Sequence, residues 1–384
     1  YNYFQSNYNV TGIKHFIVGF GDWVPPAPFR KSDGHLVGAF AYLRDMQLGV
    51  DLFTYSKHPG APAQVERLKT LIQTLTKEYH EAFYKEEAGH YVSGLQTEQT
   101  LPLYLGAVPE SLKADIVDKL LTDIQVTNSN HTSCGILGIK YLMETLCILG
   151  YSNVALDLAL QTSYPSWGYM ARNKNEPSTT VWERWNGDSA LRMDSRNHHM
   201  FGSVSAWFYK YVAGIQPLEP GYGRIKIHPT VMNHPELTHV QAKVETPHGD
   251  IRSSWKRNVV RSNNNSSNTT THVVFTHDLS VPPGTYSVLY VPITVDGGND
   301  YARPSGAASR RLRSSSTGGA TITEGGILIW KDGHFVLGAG GGVAGVLNAT
   351  MVDNSVAVEL TNGRFHFEAT IPMSSSPVHS MATE

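Results

Sequence analysis

Gly214-Ile215-Gln216-Pro217-Leu218-Glu219-Pro220-Gly221-Tyr222-Gly223 decides how this chain is read. Pro217 and Pro220 lack the backbone N–H that a helix or a central strand needs, and the glycines around them loosen the backbone further. No long element runs through such a stretch. Apolar residues recur every three or four positions before it and every second position after it, so the chain is α first and β second.

Working back from Gly214, the period is helical from about residue 32. Val65, Leu68, Leu71, Ile72, Leu75, Tyr79 and Phe83 form the clearest stripe, with Lys and Glu opposite, Pro62 before it and a charged turn ending at Gly89. A second stripe joins Leu112, Ile116, Leu120 and Ile124. A third joins Ile136, Ile139, Met143 and Leu146 and is closed by Gly150. Shorter helices are predicted over 153–161 and 204–212. Helices in succession with short connections are αα-hairpins. No self-similar repeat of the tetratricopeptide or ankyrin kind occurs, which favours a closed α/α toroid over an open solenoid.

Working forward, period-2 runs occupy 224–228, 240–245, 251–256, 272–279, 286–292, 327–330, 334–337, 356–360 and 364–369. Asp332-Gly333 has the signature of a tight hairpin, and Asn362-Gly363 repeats it. The pattern predicts an antiparallel β-sandwich over 216–384 behind a helical domain over 1–215. Two flexible loops are expected inside it: 262–271, nearly all Asn, Ser and Thr, and 302–321, with Arg303, Arg310, Arg311 and Arg313 among small residues. Gly338-Ala339-Gly340-Gly341-Gly342-Val343 imitates a nucleotide fingerprint but opens no helix, and is read as a loop.

The 384 residues suffice for two domains, and 41% hydrophobic against 17% charged is a globular balance. A formal net charge of −2 supplies no attraction to nucleic acid or to an anionic membrane, and no apolar run approaches the roughly 20 residues of a membrane span. Neither is expected as a partner. Cys134 and Cys147 lack C-x-x-C spacing and read as reduced core thiols, with one disulfide as the alternative in a secreted protein. The chain opens on Tyr1 without methionine or leader, as an internal fragment or processed product does, and any targeting segment would lie upstream. Asn-x-Ser/Thr triplets at Asn9, Asn130, Asn264, Asn265, Asn268 and Asn348 lean towards a secreted, glycosylated protein.

Chemistry concentrates just before Gly214, around Trp167, Trp182-Glu183-Arg184-Trp185 and His198-His199. Aromatics about a carboxylate suit a sugar, whose C–H faces pack on indoles while polar groups take its hydroxyls. Glycoside hydrolysis needs two carboxylates across the scissile bond. Glu183 is the best single candidate, since apolar walls at Trp182 and Trp185 would raise its pKa. The bland alternative is a salt bridge from Glu183 to Arg184 or a neighbour, with both tryptophans in the core. His198 and His199 have no third ligand at a suitable spacing, so no metal and no cofactor is expected.

Pro165-Ser166-Trp167-Gly168-Tyr169-Met170, then Thr179-Thr180-Val181-Trp182-Glu183-Arg184-Trp185, then Asn197-His198-His199-Met200-Phe201-Gly202 resemble, in that order, the α-L-rhamnosidase family. Gly21-Asp22-Trp23 upstream, and Thr246-Pro247-His248-Gly249-Asp250-Ile251, Trp255 and Val281-Pro282-Pro283-Gly284-Thr285 downstream, extend the resemblance over about 17–295. It implies a partial (α/α)6 toroid of helical hairpins followed by an antiparallel β-sandwich. It also implies hydrolysis of terminal non-reducing α-L-rhamnosyl residues with inversion, acting on a rhamnose-containing glycoside or polysaccharide. By motif, Glu183 corresponds to the general base that activates water, His198 to a histidine contacting the rhamnose, and Trp23 to an aromatic wall of the sugar subsite. Asp22 and Trp182 correspond to further substrate-binding supports. His199 is read as structural, pointing away from His198.

The family's general acid sits in an Asp-x-x-x-Arg-x-Glu-type segment upstream of Gly-Asp-Trp, and no such segment occurs here. The expectation is therefore the C-terminal part of the toroid, about seven helices of a twelve-helix ring, holding one member of the catalytic pair. Two rivals use the same residues: a toroid glycosidase for another sugar, and a degenerate homologue that binds sugar without catalysis. Aglycone, linkage and oligomeric state have no signature in the sequence.

Overall fold

The computed structural model describes residues 13, 19–187, 195–230, 234, 236–263, 269–294, 319–336 and 342–372. Most of the expected loop at 302–321, most of the glycine run at 338–343, and the triplets at Asn9, Asn264, Asn265 and Asn268 lie outside the described residues. Contacts divide the chain into two compact units between Val204 and Ser205.

The first unit is built of helical hairpins. Helix α1 (Gly34–Tyr55) returns as α2 (Ala61–Phe83), and a small ribbon of β1 (Tyr84–Lys85) and β2 (His90–Tyr91) follows. Helix α3 (Gln96–Leu105) returns as α4 (Glu110–Thr122), which widens into a π-helical turn over Asp123–Thr127. Helix α5 (Gly138–Ile148) returns as α6 (Ser152–Leu160), and the short α7 (Trp167–Ala171) comes next.

Helices α1, α3 and α5 point the same way. At their starts Asp33 N donates to Glu98 Oε1 (3.0 Å) and Gly138 lies against Thr97. Farther along, Gln47 Nε2 donates to Leu105 O (3.4 Å) and the Tyr104 and Tyr141 rings meet at 4.7 Å. Helix α3 is buried on every side, even at Gln96, Thr97, Glu98, Gln99 and Thr100, whereas α2 buries only Ala61, Leu75, Tyr79 and Phe83. Parallel inner helices backed by returning outer ones are the repeating layout of an α/α toroid, and their N-terminal ends gather on one side.

The second unit takes in the end of α8 (Ser203–Trp207) and its π-helical continuation Phe208–Val212. That turn belongs with the strands because Trp255 Nε1 donates to Val212 O (2.8 Å) and Ser253 Oγ to Ala213 O (2.9 Å). The strands are β3 (Ile215–Pro217), β4 (Arg224–Ile227), β5 (His239–Thr246), β6 (Gly249–Asn263), β7 (Thr269–Val281) and β8 (Tyr286–Pro292). After them come β9 (Thr321–Glu324), β10 (Ile327–Lys331), β11 (His334–Phe335), β12 (Val346–Val352), β13 (Ser355–Leu360) and β14 (Gly363–Pro372). They form a seven-stranded sheet, β11-β10-β9-β14-β7-β6-β5, and a five-stranded sheet, β12-β13-β8-β4-β3. Alternating residues such as Trp255, Phe275 and Phe367 on one sheet and Leu289, Val291 and Val358 on the other are buried, giving a sandwich core.

Three local features differ from the sequence reading. One pairing, β4 with β8, is parallel, because the β5–β7 meander lies in the other sheet between them. Asp332-Gly333 does close a tight hairpin, with φ of 52° and 83° between paired Lys331 and His334. Asn362-Gly363 does not: β13 and β14 pair in different sheets, and the tight turn is Asp353-Asn354 between Val352 and Ser355. The loop expected over 262–271 is shorter, since β6 and β7 stay paired out to Asn263 and Thr269, where β-branched threonines suit extended backbone.

Candidate active site

The start of α5 organises the site. A helix leaves its first backbone N–H groups unpaired, and here a distant dipeptide takes four in a row. Asp22 accepts from Gly135 N (2.7 Å), Leu137 N (3.0 Å) and Gly138 N (3.1 Å), and Trp23 O accepts from Ile136 N (3.0 Å). Thr97 Oγ1 adds a bond of 2.5 Å to Asp22. A Cβ on Gly135 would stand 2.0 Å from Trp23 O, and one on Gly138 would stand 2.1 Å from Thr97 Oγ1, so only glycine admits this approach. Asp22 is 1% exposed, and burial raises its pKa against the lowering effect of these bonds. Its carboxylate faces the helix, so any support it lends to sugar binding passes through the placement of Trp23.

The tryptophans of the Glu183 segment are the frame rather than the walls. Trp182 and Trp185 are each 1% exposed. Trp185 Nε1 donates to Cys134 O (2.9 Å), its ring packs on Phe201 (4.1 Å) and Trp167 (5.3 Å), and Trp167 Nε1 donates to Phe201 O (2.9 Å). Trp182 lies against Gly187 and beneath the Arg196 guanidinium (5.2 Å). Anchored on both sides, the turn presents Glu183 outward.

Two segments run back against each other to hold that carboxylate. His198 N donates to Val181 O (2.8 Å), Glu183 N to Ser195 O (3.0 Å) and Ser195 N to Glu183 Oε2 (3.0 Å). Expectation and structure part here, because the Glu183 pKa is lowered, not raised. The Ser195 N–H is the largest cause; partial burial opposes it, and the Trp23 indole N–H, His198 and Arg184 each add a smaller lowering. The apolar walls that would have raised it are turned into the core. A carboxylate in this setting stays ionised at neutral pH and can accept a proton.

Trp23 and His198 therefore stand with Glu183. The His198 ring is half-buried and stacks on His199 at 5.6 Å, so His199 does not point away as expected. Trp23 borders a cleft of about 190 Å³ that it shares with Val24, Pro25, Phe29, Lys31 and Arg184. Ser195, Gly135, Gly138 and Lys31 were not singled out by sequence. Two glycines three apart at a helix start were the available sign, though nothing adjacent names Asp22 as their partner. Cys134 and Cys147 are not joined in a disulfide. Among the described residues no group of three or more His, Cys, Asp or Glu could hold a metal ion, and no helix is long and apolar enough to cross a membrane.

Helical hairpins bearing such a carboxylate, followed in sequence by a β-sandwich, fall in the class of six-hairpin glycosidases. The chain belongs to the bacterial α-L-rhamnosidase family: the family's 6-hairpin glycosidase domain matches residues 5–212 and its C-terminal domain matches 214–300. It is 31% identical over 248 residues to an α-L-rhamnosidase of Formosa agariphila, covering 62% of this chain and 26% of that protein. The α-L-rhamnosidase structure from Dictyoglumus thermophilum superposes with a TM-score of 0.71 at 27% identity, over 93% of this chain and 35% of that one. The Streptomyces avermitilis α-L-rhamnosidase complexed with L-rhamnose shares the fold, with a TM-score of 0.69 at 23% identity over 96% of this chain and 29% of its own. The chain spans about a quarter of the length of the curated relatives it matches.

Proposed function

We propose that this chain supplies the water-activating side of an α-L-rhamnoside hydrolysis that proceeds with inversion. Glu183 is the general base, acting on a terminal non-reducing α-L-rhamnosyl unit of a glycoside or polysaccharide. The observation that carries this reading is the outward, ionised Glu183 carboxylate, fixed by Ser195 N beside Trp23 and His198.

In this mechanism water sits between Glu183 and the anomeric carbon. Glu183 takes its proton as the C–O bond forms, while a second carboxylate, roughly 6.5–9.5 Å away in an inverting pair, protonates the leaving oxygen. Trp23 packs on the sugar ring and His198 contacts its hydroxyls. Asp22 and Trp182 serve at one remove, holding Trp23 and the Glu183 turn.

In a complete enzyme that also supplies the general acid, Glu183→Gln is expected to lower kcat on p-nitrophenyl α-L-rhamnopyranoside by about 10²–10⁴-fold with KM little changed, since binding contacts survive and water activation does not. A mild loss of kcat would move the base elsewhere. Proton NMR of the first-formed rhamnose should show the β-anomer; an α-anomer formed first would rule out inversion.

A further inference from the structure

Glu183 takes its orientation from the chain that runs back against it, and that chain has a clasp of its own. Thr180 Oγ1 donates to Arg196 O, Glu183 N to Ser195 O (3.0 Å) and His198 N to Val181 O (2.8 Å), so residues 195–198 are zipped onto 180–183. The N–H that holds the carboxylate, on Ser195, belongs to this zipped segment (3.0 Å to Glu183 Oε2). Its register decides whether that bond is made.

The next side chain is Arg196, and it is pinned at two points. Its guanidinium lies 5.2 Å over the ring of Trp182, the buried neighbour of the base, and its Nη2 pairs with Glu176 Oε2 (3.2 Å). Glu176 sits on a loop that is itself fixed. Asn173 Oδ1 accepts from Asn175 N (3.0 Å) and Glu176 N (3.1 Å), and Ser178 N donates to Met170 O (3.0 Å) in α7. With side chains 38% and 53% exposed, the ion pair alone would hold little against water. Stacking on a desolvated indole holds more, and a planar guanidinium can stack and pair at once.

The charges that act directly on Glu183 are those of His198 and Arg184, so a contribution from Arg196 comes through placement. We propose that Arg196 is a positioning residue for the catalytic base: clasped between Trp182 and Glu176, it sets the register that brings the Ser195 N–H onto the Glu183 carboxylate. The inference rests on the reading of Glu183 as the base.

Carbon-13 NMR of the full chain, labelled at the glutamate side-chain carboxyls, tests this, with the Glu183 signal assigned by its loss in Glu183→Gln. In Arg196→Met the Glu183 titration should move upward, towards the ordinary glutamate range, and the Ser195 amide proton should cease to follow it. Arg196→Lys keeps the charge but not the planar stack, and should move the titration the same way. Glu176→Gln should give a smaller upward move, and carries the test if Arg196→Met does not fold. In a complete enzyme Arg196→Met should lower kcat about tenfold with KM little changed. A Glu183 titration unmoved in every folded variant overturns the clasp. Full restoration by Arg196→Lys overturns it too, because charge alone would then suffice. A complete enzyme in which Glu183→Gln keeps its kcat overturns the base and this role with it, a failure that the carboxyl titrations distinguish from loss of the clasp.

Discussion

Asp22 and Glu183 are two carboxylates of one site with opposite surroundings. Asp22 is buried and saturated by donors, with its pKa raised; Glu183 is outward and held ionised, with its pKa lowered. Asp22→Asn should destabilise the helical unit by about 2–3 kcal/mol, because an amide turns donors towards backbone N–H groups that then lack an acceptor. Gly138→Ala should cost about 1–3 kcal/mol through the clash with Thr97. Urea unfolding followed by circular dichroism measures both. Trp23→Phe keeps the ring but removes the indole donor to Glu183, so the acid limb of the pH–rate profile should move upward, a shift that loss of stacking alone would not produce. Glu183 could be read from Trp182-Glu183-Arg184-Trp185, yet the direction of its neighbours could not. Which side of a turn faces solvent is set by Cys134 and Phe201, which lie far away in sequence.

At the scale of elements, amphipathic stripes were readable and all-round burial was not. Helix α2 declared itself because half of it meets water. Helix α3 did not, since Gln96-Thr97-Glu98-Gln99-Thr100 has no apolar period and its polar side chains are spent inside. Gln96 Oε1 accepts from Ser133 N (2.8 Å), and Glu98 accepts from Asp33 N, Ser93 N and Leu95 N. Those bonds tie the starts of neighbouring inner helices together, so Glu98→Ala should cost about 3 kcal/mol, read from the urea midpoint. Among the strands, Asp332-Gly333 was readable as a turn from local chemistry alone. Asn362-Gly363 has the same chemistry but joins two sheets, because pairing partners on both edges of β14 outweigh a local turn preference.

Across the whole molecule, acid should weigh on the β unit through two buried histidines. In the β unit His277 is buried against Ser253 (2.8 Å), and burial holds its pKa down to about 3; His228, stacked on Tyr290, is held to about 4. The unfolded chain takes up these protons near the ordinary histidine value and the folded chain does not. This contribution is complete above about pH 6.5 and is lost towards pH 3–4, at about 1.4 kcal/mol per pH unit for each histidine. Asp22, with its raised pKa, is relieved of burial cost as pH falls. Calorimetry between about pH 7 and pH 5 should show the β unit's transition moving down first, and His277→Gln should flatten that slope.

Strand β14 lies between β7 and β9 in the seven-stranded sheet, paired with β7 along its length and with β9 over Phe367–Thr370. Both neighbours precede it in the chain. During synthesis on the ribosome, β5–β7 and β9–β11 therefore emerge as two half-sheets, each with an open edge, and neither can pair with the other until Gly363–Pro372 has been made. The nascent β unit must wait for its keystone, and a stop codon at Asn362 would leave two sticky half-sheets exposed to edge-to-edge aggregation.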